Sequence, residues 1–384
     1  MAHKIYGRDG GRMKKLLILP DYQSDYGMDG LHTGLYELGD WDIYEYPIKT
    51  SVHGGCDSGY DLPGQPKSGN TGCGSYLLPN PCPGPFHTEK EVEDIFPNFD
   101  LIVMGVRDYS RRSIKYLCEL KLVNYDTLPL LLVDEEDAEN IDRYFIDSFS
   151  PKVFFKRELL RTNSIEDYTK HLQRPVFPLP FSAFLRGLPD IDDSQKDYDV
   201  FLSLGRTWEK RDDLIRTFLS AVHDHHVCSP DRAWIATNGN SPLFHEKHGE
   251  HLRELAPWLM YMEKQGKSKI TAAMRGWGRD TMHQFEAFSY ATFVLYFDPG
   301  VHMPHPFKNK IHCRYVREDE WPVIHHIIDN FLEHDEWRNA VAKAGRDHCR
   351  TYHSNKARAS YMVDISTRIL GGEKVDPTEF GIEG

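Results

Sequence analysis

The chain has 384 residues, 40% of them hydrophobic and 12% aromatic, and a net charge of −12; this length accommodates two domains, each with its own core. The acidic balance argues against a protein whose main partner is a polyanion, since non-specific nucleic-acid binding rests on clustered Lys and Arg. No apolar run approaches the roughly 20 residues of a membrane span and the amino terminus lacks a secretory core, so a cytoplasmic protein is expected.

Residues 1–12, glycine-rich and polar, read as a flexible leader before Met13. Lys14 to Leu19 is a short apolar run closed by Pro20, the first strand. "DYGMDGLHTGLYELG" then leads into a helix that stops at Gly39, and Trp41 to Tyr46 is a second strand. Such a β-loop-α-β opening begins a Rossmann-like domain, with ligands bound at the carboxyl edge of the sheet. Asp29 and His32 are expected in the loop after the first strand. Gly27, Gly30 and Gly34 are too irregularly spaced for a dinucleotide fingerprint.

Residues 51–85, rich in Gly, Pro, Ser and Asn, read as an ordered functional loop or a mobile lid. Cys56, Cys73 and Cys82 with His53 and His87 follow no common zinc spacing. The seven cysteines include no CxxC pair and read as reduced thiols. Further buried strands run from Asp100 to Gly105, Leu128 to Val133 and Lys152 to Lys156. The first of these leads to Arg107 and Asp108, the second to the acidic run Asp134, Glu135, Glu136 and Asp137. A polar linker puts the domain boundary near Asp190, giving a first domain of 13–190 and a second of 191–355.

The second domain repeats the grammar. Asp199 to Gly205 is a strand, followed by the basic turn "RTWEKR" and a helix through Val222. Arg206, Lys210 and Arg211 therefore stand where a helix amino terminus meets a strand's carboxyl edge, a natural phosphate site. Ala233 to Thr237 and Ile270 to Met274 are strands, and after the second Arg275 and Arg279 sit on a glycine-broken loop. A helix capped by Asp280 runs through Ser289 with Glu286 as its one carboxylate, and Thr292 to Phe297 is the next strand. A carboxylate able to accept two hydroxyl hydrogens beside two arginines matches a ribose next to its phosphates. Helices over Trp321 to Leu332 and Asp335 to Tyr352 precede a last helix from Lys356 to Leu370, within a terminal segment of 356–384.

Among 20 histidines, two groups invite a metal reading: His223, His225 and His226 with Cys228, and His302 and His305 with His312. Neither repeats a ligand spacing on one helix face, so surface or loop histidines are expected and no metal is assigned.

The segment "RDTMHQFEAFSYATFVLYFD", with "HPFKNKIHCRYV" and "FLEHDEWRNAVAKAGRDHCRTYHSNKARASYMV", resembles the C-terminal half of the spore-maturation CgeB-like glycosyltransferases. The resemblance covers about the last third of the chain and implies an α/β fold of GT-B architecture: two Rossmann-like domains facing a central cleft, with the last helix crossing back to the first. It implies a nucleotide-diphosphate sugar, such as a UDP-sugar, as donor substrate, no cofactor, and Glu286 on the donor ribose. The acceptor is a carbohydrate or other hydroxyl, with a modified nucleobase in DNA left open, and the transferred group is a hexose or pentose. Protein cations replace a metal at the departing diphosphate in such enzymes, which nominates Arg206, Lys210, Arg211, Arg275 and Arg279. An inverting reaction needs a general base in the first domain, for which Asp29, His32, Asp134 and Glu136 are candidates. Gly278 stands eight residues before Glu286 where many retaining relatives carry a second glutamate, so the stereochemistry stays open. An epimerase or phosphorylase on the same fold, and a catalytically silent carbohydrate-binding or assembly protein, are the alternatives.

Overall fold

The computed structural model describes residues 8–9, 12–20, 26–48, 86–106, 127–137, 141, 143–192, 194–205, 209–276 and 278–382. The 51–85 loop, Arg107, Asp108, Arg206 and most of the 1–12 leader lie outside the described residues. By contacts the chain divides into two compact units: Met1–Gly187 with Gly300–Pro306 and Ser354–Gly384, and Leu188–Pro299 with Phe307–His353.

In the first unit the strands are β1 (Arg8–Asp9), β2 (Arg12–Leu19), β3 (Trp41–Glu45), β4 (Leu101–Val106), β5 (Leu130–Asp134), β6 (Val153–Lys156) and β7 (Val176–Pro178). They form a parallel sheet in the order β3-β2-β4-β5-β6-β7, with β1 antiparallel on β2. Leu16 to Leu19, Leu101 to Met104 and Leu130 to Leu132 are fully buried without alternation, as a sheet covered on both faces requires. The helix Tyr26–Leu38 follows β2, and Asp29 and His32 lie inside it rather than in a loop. The last helix, Asn355–Leu370, places Ala359, Met362, Val363 and Ile365 in this unit's core. It packs along Tyr26–Leu38. Glycine makes that approach feasible: a Cβ on Gly34 would meet the main-chain oxygen of Asn355 at 2.1 Å. Residues 300–306 join this unit because His302 N–H donates to the Leu159 carbonyl and His305 N–H to that of Phe380, both at 2.7 Å.

The second unit contains β8 (Tyr198–Ser203), β9 (Ala233–Thr237), β10 (Arg253–Glu254), β11 (Ser268–Ala273), β12 (Phe293–Tyr296) and β13 (Arg314–Tyr315). All pair in parallel, in the order β10-β9-β8-β11-β12-β13. Val200, Leu202 and Leu204 pack into one apolar cluster, while Phe201 packs with Tyr261, Met262 and Tyr290 in another. Chain direction across the sheet reverses between β8 and β11, the switch point outside whose carboxyl ends ligands bind in open α/β sheets.

The short helix at this edge spans Met282–Ala287, with Thr281 rather than Asp280 as N-cap, and it stops before Ser289. Thr281 has the partners that the cap needs. Its N–H donates to Gln284 Oε1 at 3.2 Å and its hydroxyl to the Met274 carbonyl at 3.3 Å, which fastens the helix to the end of β11.

Candidate functional site

The switch point of the second unit is built around Arg211, in the first turn of the helix Glu209–His223 that follows β8. The residue is only 6% exposed. Nε donates to the Arg275 carbonyl at 2.8 Å, Nη1 to that of Gly205 at 3.0 Å and Nη2 to that of Met274 at 3.4 Å. One side chain thus ties together the segments that leave β8 and β11. Burial lowers its pKa to about 10, which leaves it charged at neutral pH. Lys210, its neighbour, pairs at the surface with Glu318. Arg275 and Arg279 are half-buried on the turn after β11, where Gly276 N–H donates to the Gly278 carbonyl at 3.1 Å.

Glu286 stands in the short helix beside this turn, half-buried and held by residues of the helix Trp258–Gly266. Trp258 Nε1 donates to Glu286 Oε1 at 2.8 Å. The Tyr261 hydroxyl lies 2.9 Å from His283 Nδ1, and His283 Nε2 lies 3.0 Å from the Ala272 carbonyl. A carbonyl only accepts, so the imidazole proton sits on Nε2 and Nδ1 accepts from Tyr261. Burial, reinforced by the nearby Arg211 charge, pushes His283 down to about 3, which keeps the ring neutral in this role. The same hydroxyl also reaches Glu286. Tyr261 has one proton for two acceptors. Burial raises the Glu286 carboxyl above its ordinary range, and the bonds from Trp258 and Tyr261 only partly offset this. The result is a carboxyl group fixed in direction, with an incomplete set of donors, suited to accepting hydroxyls from a ligand.

In the first unit the four proposed base residues occupy two places. His32 Nε2 meets Glu45 Oε1 at 3.1 Å, both side chains being 1% exposed, and Tyr36 donates to the same oxygen at 2.6 Å. One helical turn places His32 and Tyr36 over the end of β3, so His32 is part of a buried pair rather than a solvent-facing loop base. Asp29 is buried in the first turn of the same helix. Asp134 ends β5, where Lys156 Nζ donates to its Oδ1 at 3.0 Å and the Glu136 N–H to the same oxygen at 2.9 Å. Lys156 also donates to the Glu136 carbonyl at 3.1 Å. Burial nevertheless raises the Asp134 carboxyl. Glu136 is half-buried, whereas Glu135 is buried and leans over Gly27, where a Cβ would lie 2.2 Å from its Oε1.

Trp258, Tyr261 and His283 were absent from the sequence candidates. Their signal was periodicity: Trp258, Tyr261 and Gln265 share a helix face, as do His283 and Glu286. Elsewhere in the second unit, His225 stacks on His325 and His312 on His348, with centroids 3.7 and 4.0 Å apart. His302, in the first unit, bonds the Asn163 carbonyl through Nε2 at 2.7 Å.

Residues 204–364 match a family model described as glycosyl transferase-like. No curated protein matches the chain in sequence. Among solved structures, a glycosyltransferase from Rickettsia africae ESF-5 is similar at TM-score 0.58 and 11% identity, over 93% of this chain and 98% of that one. A sucrose-phosphate synthase from Thermosynechococcus elongatus is similar at TM-score 0.51 and 12% identity, over 94% and 100%. Anabaena HepE, solved with UDP and glucose, is similar at TM-score 0.50 and 10% identity, over 92% and 99%. The fold is that of GT-B glycosyltransferases, and the family match supports a glycosyltransferase; membership of the CgeB-like family rests on the sequence resemblance alone.

Proposed function

We propose that the chain transfers a sugar from a nucleotide-diphosphate donor to an acceptor hydroxyl, with the donor bound by the second unit at the carboxyl ends of β8 and β11. The observation that carries this reading is Glu286, held by Trp258 next to a turn bearing two arginines. In it Glu286 accepts the ribose hydroxyls and Arg275 and Arg279 meet the diphosphate; Lys210 would join them by leaving Glu318, and Arg206, outside the described residues, is a further candidate. Arg211 has a different part. With three donors on main-chain carbonyls, it holds the phosphate-facing turn in shape. Stabilisation of the leaving diphosphate by preorganised cations is the main chemical demand of such a transfer, and no metal is required for it.

HepE's complex with UDP and glucose makes a UDP-sugar the first donor to try. The acceptor is assigned to the first unit, where Asp134, Glu135 and Glu136 follow one another at the end of β5 and Asp29 lies in the first turn of the helix after β2; one of these carboxylates serves as base if configuration inverts. A carbohydrate is the acceptor class proposed, with a modified nucleobase as a further one to assay. Among the described residues no helix is long and apolar enough to cross a membrane, and action in the cytoplasm is part of the proposal.

A thermal-shift screen against nucleoside diphosphates and their sugars tests the donor site, since a ligand at 100 times its dissociation constant stabilises by about 2.7 kcal/mol. Product analysis with a labelled donor then separates transfer from epimerisation or phosphorolysis. Absence of any nucleotide-dependent shift would sink the proposal and favour a silent binding protein.

A further inference from the structure

Far from Glu286 in the sheet, three histidines from separate segments converge. The helix Glu209–His223 begins at the carboxyl end of β8 and returns to the amino end of β9, which brings His223 to the opposite edge from the donor site. His248 and His251 come from the 3-10 turn that precedes β10. One ring nitrogen from each of the three lies within 4.8 Å of the others. The His223 ring stacks between its partners, with centroids 3.9 Å from His251 and 4.9 Å from His248. Beside them is a cavity of about 230 Å³ lined by Leu219, His223, Ile235, Glu250 and His251.

We propose that His223, His248 and His251 bind one divalent transition-metal ion, zinc being the best fit, at the amino edge of the second unit's sheet. Three imidazoles are a borderline-soft donor set that suits Zn²⁺ over Mg²⁺ or Ca²⁺. At Zn–N distances of about 2.0–2.1 Å, tetrahedral ligands lie roughly 3.3 Å apart, so side-chain rotation closes the trio onto the ion.

The surroundings are those of a metal-ligating set. Asp224 Oδ1 lies 2.9 Å from His248 Nε2 and also takes a bond from Lys247 at 2.8 Å, while its Oδ2 takes one from Ser220 at 2.8 Å. This fixed carboxylate holds the His248 ring with Nε2 protonated and leaves Nδ1 with the lone pair, the usual outer-shell arrangement for a histidine ligand. Glu250, with Oε1 3.3 Å from His251 Nε2, supplies a carboxylate at the open side. The backbone is shaped for the arrangement too. His248 is left-handed at φ 66°, and a Cβ on the adjacent Gly249 would meet the Leu243 carbonyl oxygen at 2.4 Å. An ion here would pin the His248–His251 turn to the end of the Glu209–His223 helix, a structural role remote from the transfer chemistry.

The test is Zn²⁺ titration of EDTA-stripped protein by calorimetry, with unfolding temperature as a second readout. Wild type and the control His325→Ala, which alters a stacked pair outside the trio, are expected to bind one equivalent and unfold at higher temperature with zinc. His251→Ala, at a side chain 43% exposed, should keep its fold and lose at least tenfold in affinity together with the zinc-dependent shift. His223→Ala should do the same, and Co²⁺ in wild type should give a tetrahedral absorption spectrum. Wild-type affinity in both variants, or no zinc-dependent rise in unfolding temperature in the wild type, would overturn the proposal.

Discussion

The indole Nε1 of Trp258 lies 2.8 Å from Oε1 of Glu286, a contact between residues 28 positions apart. It fixes the direction of the carboxyl group before any ligand arrives. Glu286→Ala is therefore expected to weaken nucleotide-sugar binding by about 1.5–3 kcal/mol, the worth of a hydrogen bond to a charged group, while the protein stays folded. Calorimetry that finds unchanged donor affinity in the folded variant would remove Glu286 from the site.

Arginines at this edge should separate by phenotype. Arg211→Ala removes a buried guanidinium from three carbonyls and is expected to cost about 2–4 kcal/mol of stability in urea unfolding. Arg275→Ala and Arg279→Ala, at half-buried positions, should shift stability by less than about 1 kcal/mol and act mainly on donor affinity. The opposite pattern would make Arg211 the diphosphate ligand.

His283 gives the second unit an acid-sensitive stability. Its folded pKa is held near 3, below the ordinary 6.5, so between these values the unfolded state binds the extra proton. The neutral ring's contribution is complete above pH 6.5 and declines as pH falls toward 3, by at most about 1.4 kcal/mol per pH unit. His283→Asn should flatten the stability profile in that window. An unchanged slope would show that His283 titrates normally.

His32→Ala tests the buried pair in the first unit. Removing the imidazole beside Glu45, which keeps the Tyr36 hydroxyl as a donor, is expected to cost about 1–3 kcal/mol through the emptied buried space and the lost polar partner. Turnover per folded molecule should persist; a loss of turnover at full stability would restore His32 as the base.

Transfer itself is expected to survive EDTA, because protein cations serve the leaving diphosphate. Complete loss of activity, reversed by a divalent ion and seen also in the His251→Ala variant that lacks the proposed zinc site, would refute this and direct attention to Asp134 to Asp137 as ligands.

Much of the fold was legible because parallel strands buried on both faces leave unbroken apolar runs such as Leu16 to Leu19 and Leu130 to Val133. Glu286 stood out in the sequence as the lone carboxylate of an otherwise apolar segment, and its role at a donor ribose is a proposal. Its holders were not legible, since Trp258 and Tyr261 reach it only through the packing of one helix on the face of β8 and β11. His32 was misplaced for a local reason: Gly27, Gly30 and Gly34 weaken helix propensity, and only the close approach of Glu135, Ser182 and Asn355 to them in the fold explains their presence. The trio of His223, His248 and His251 spans too many residues for any spacing rule to detect.

That contact between Gly34 and Asn355 bears on the order of events during synthesis. The first unit's opening helix finds its packing partner only after more than 300 further residues have left the ribosome, whereas the second unit's sheet is complete once β13 emerges. The unit encoded first should thus finish folding last. Ribosome-bound chains ending before Ser354 are expected to protect the second sheet from proteolysis and to leave the helix Tyr26–Leu38, which lacks its packing partner, exposed.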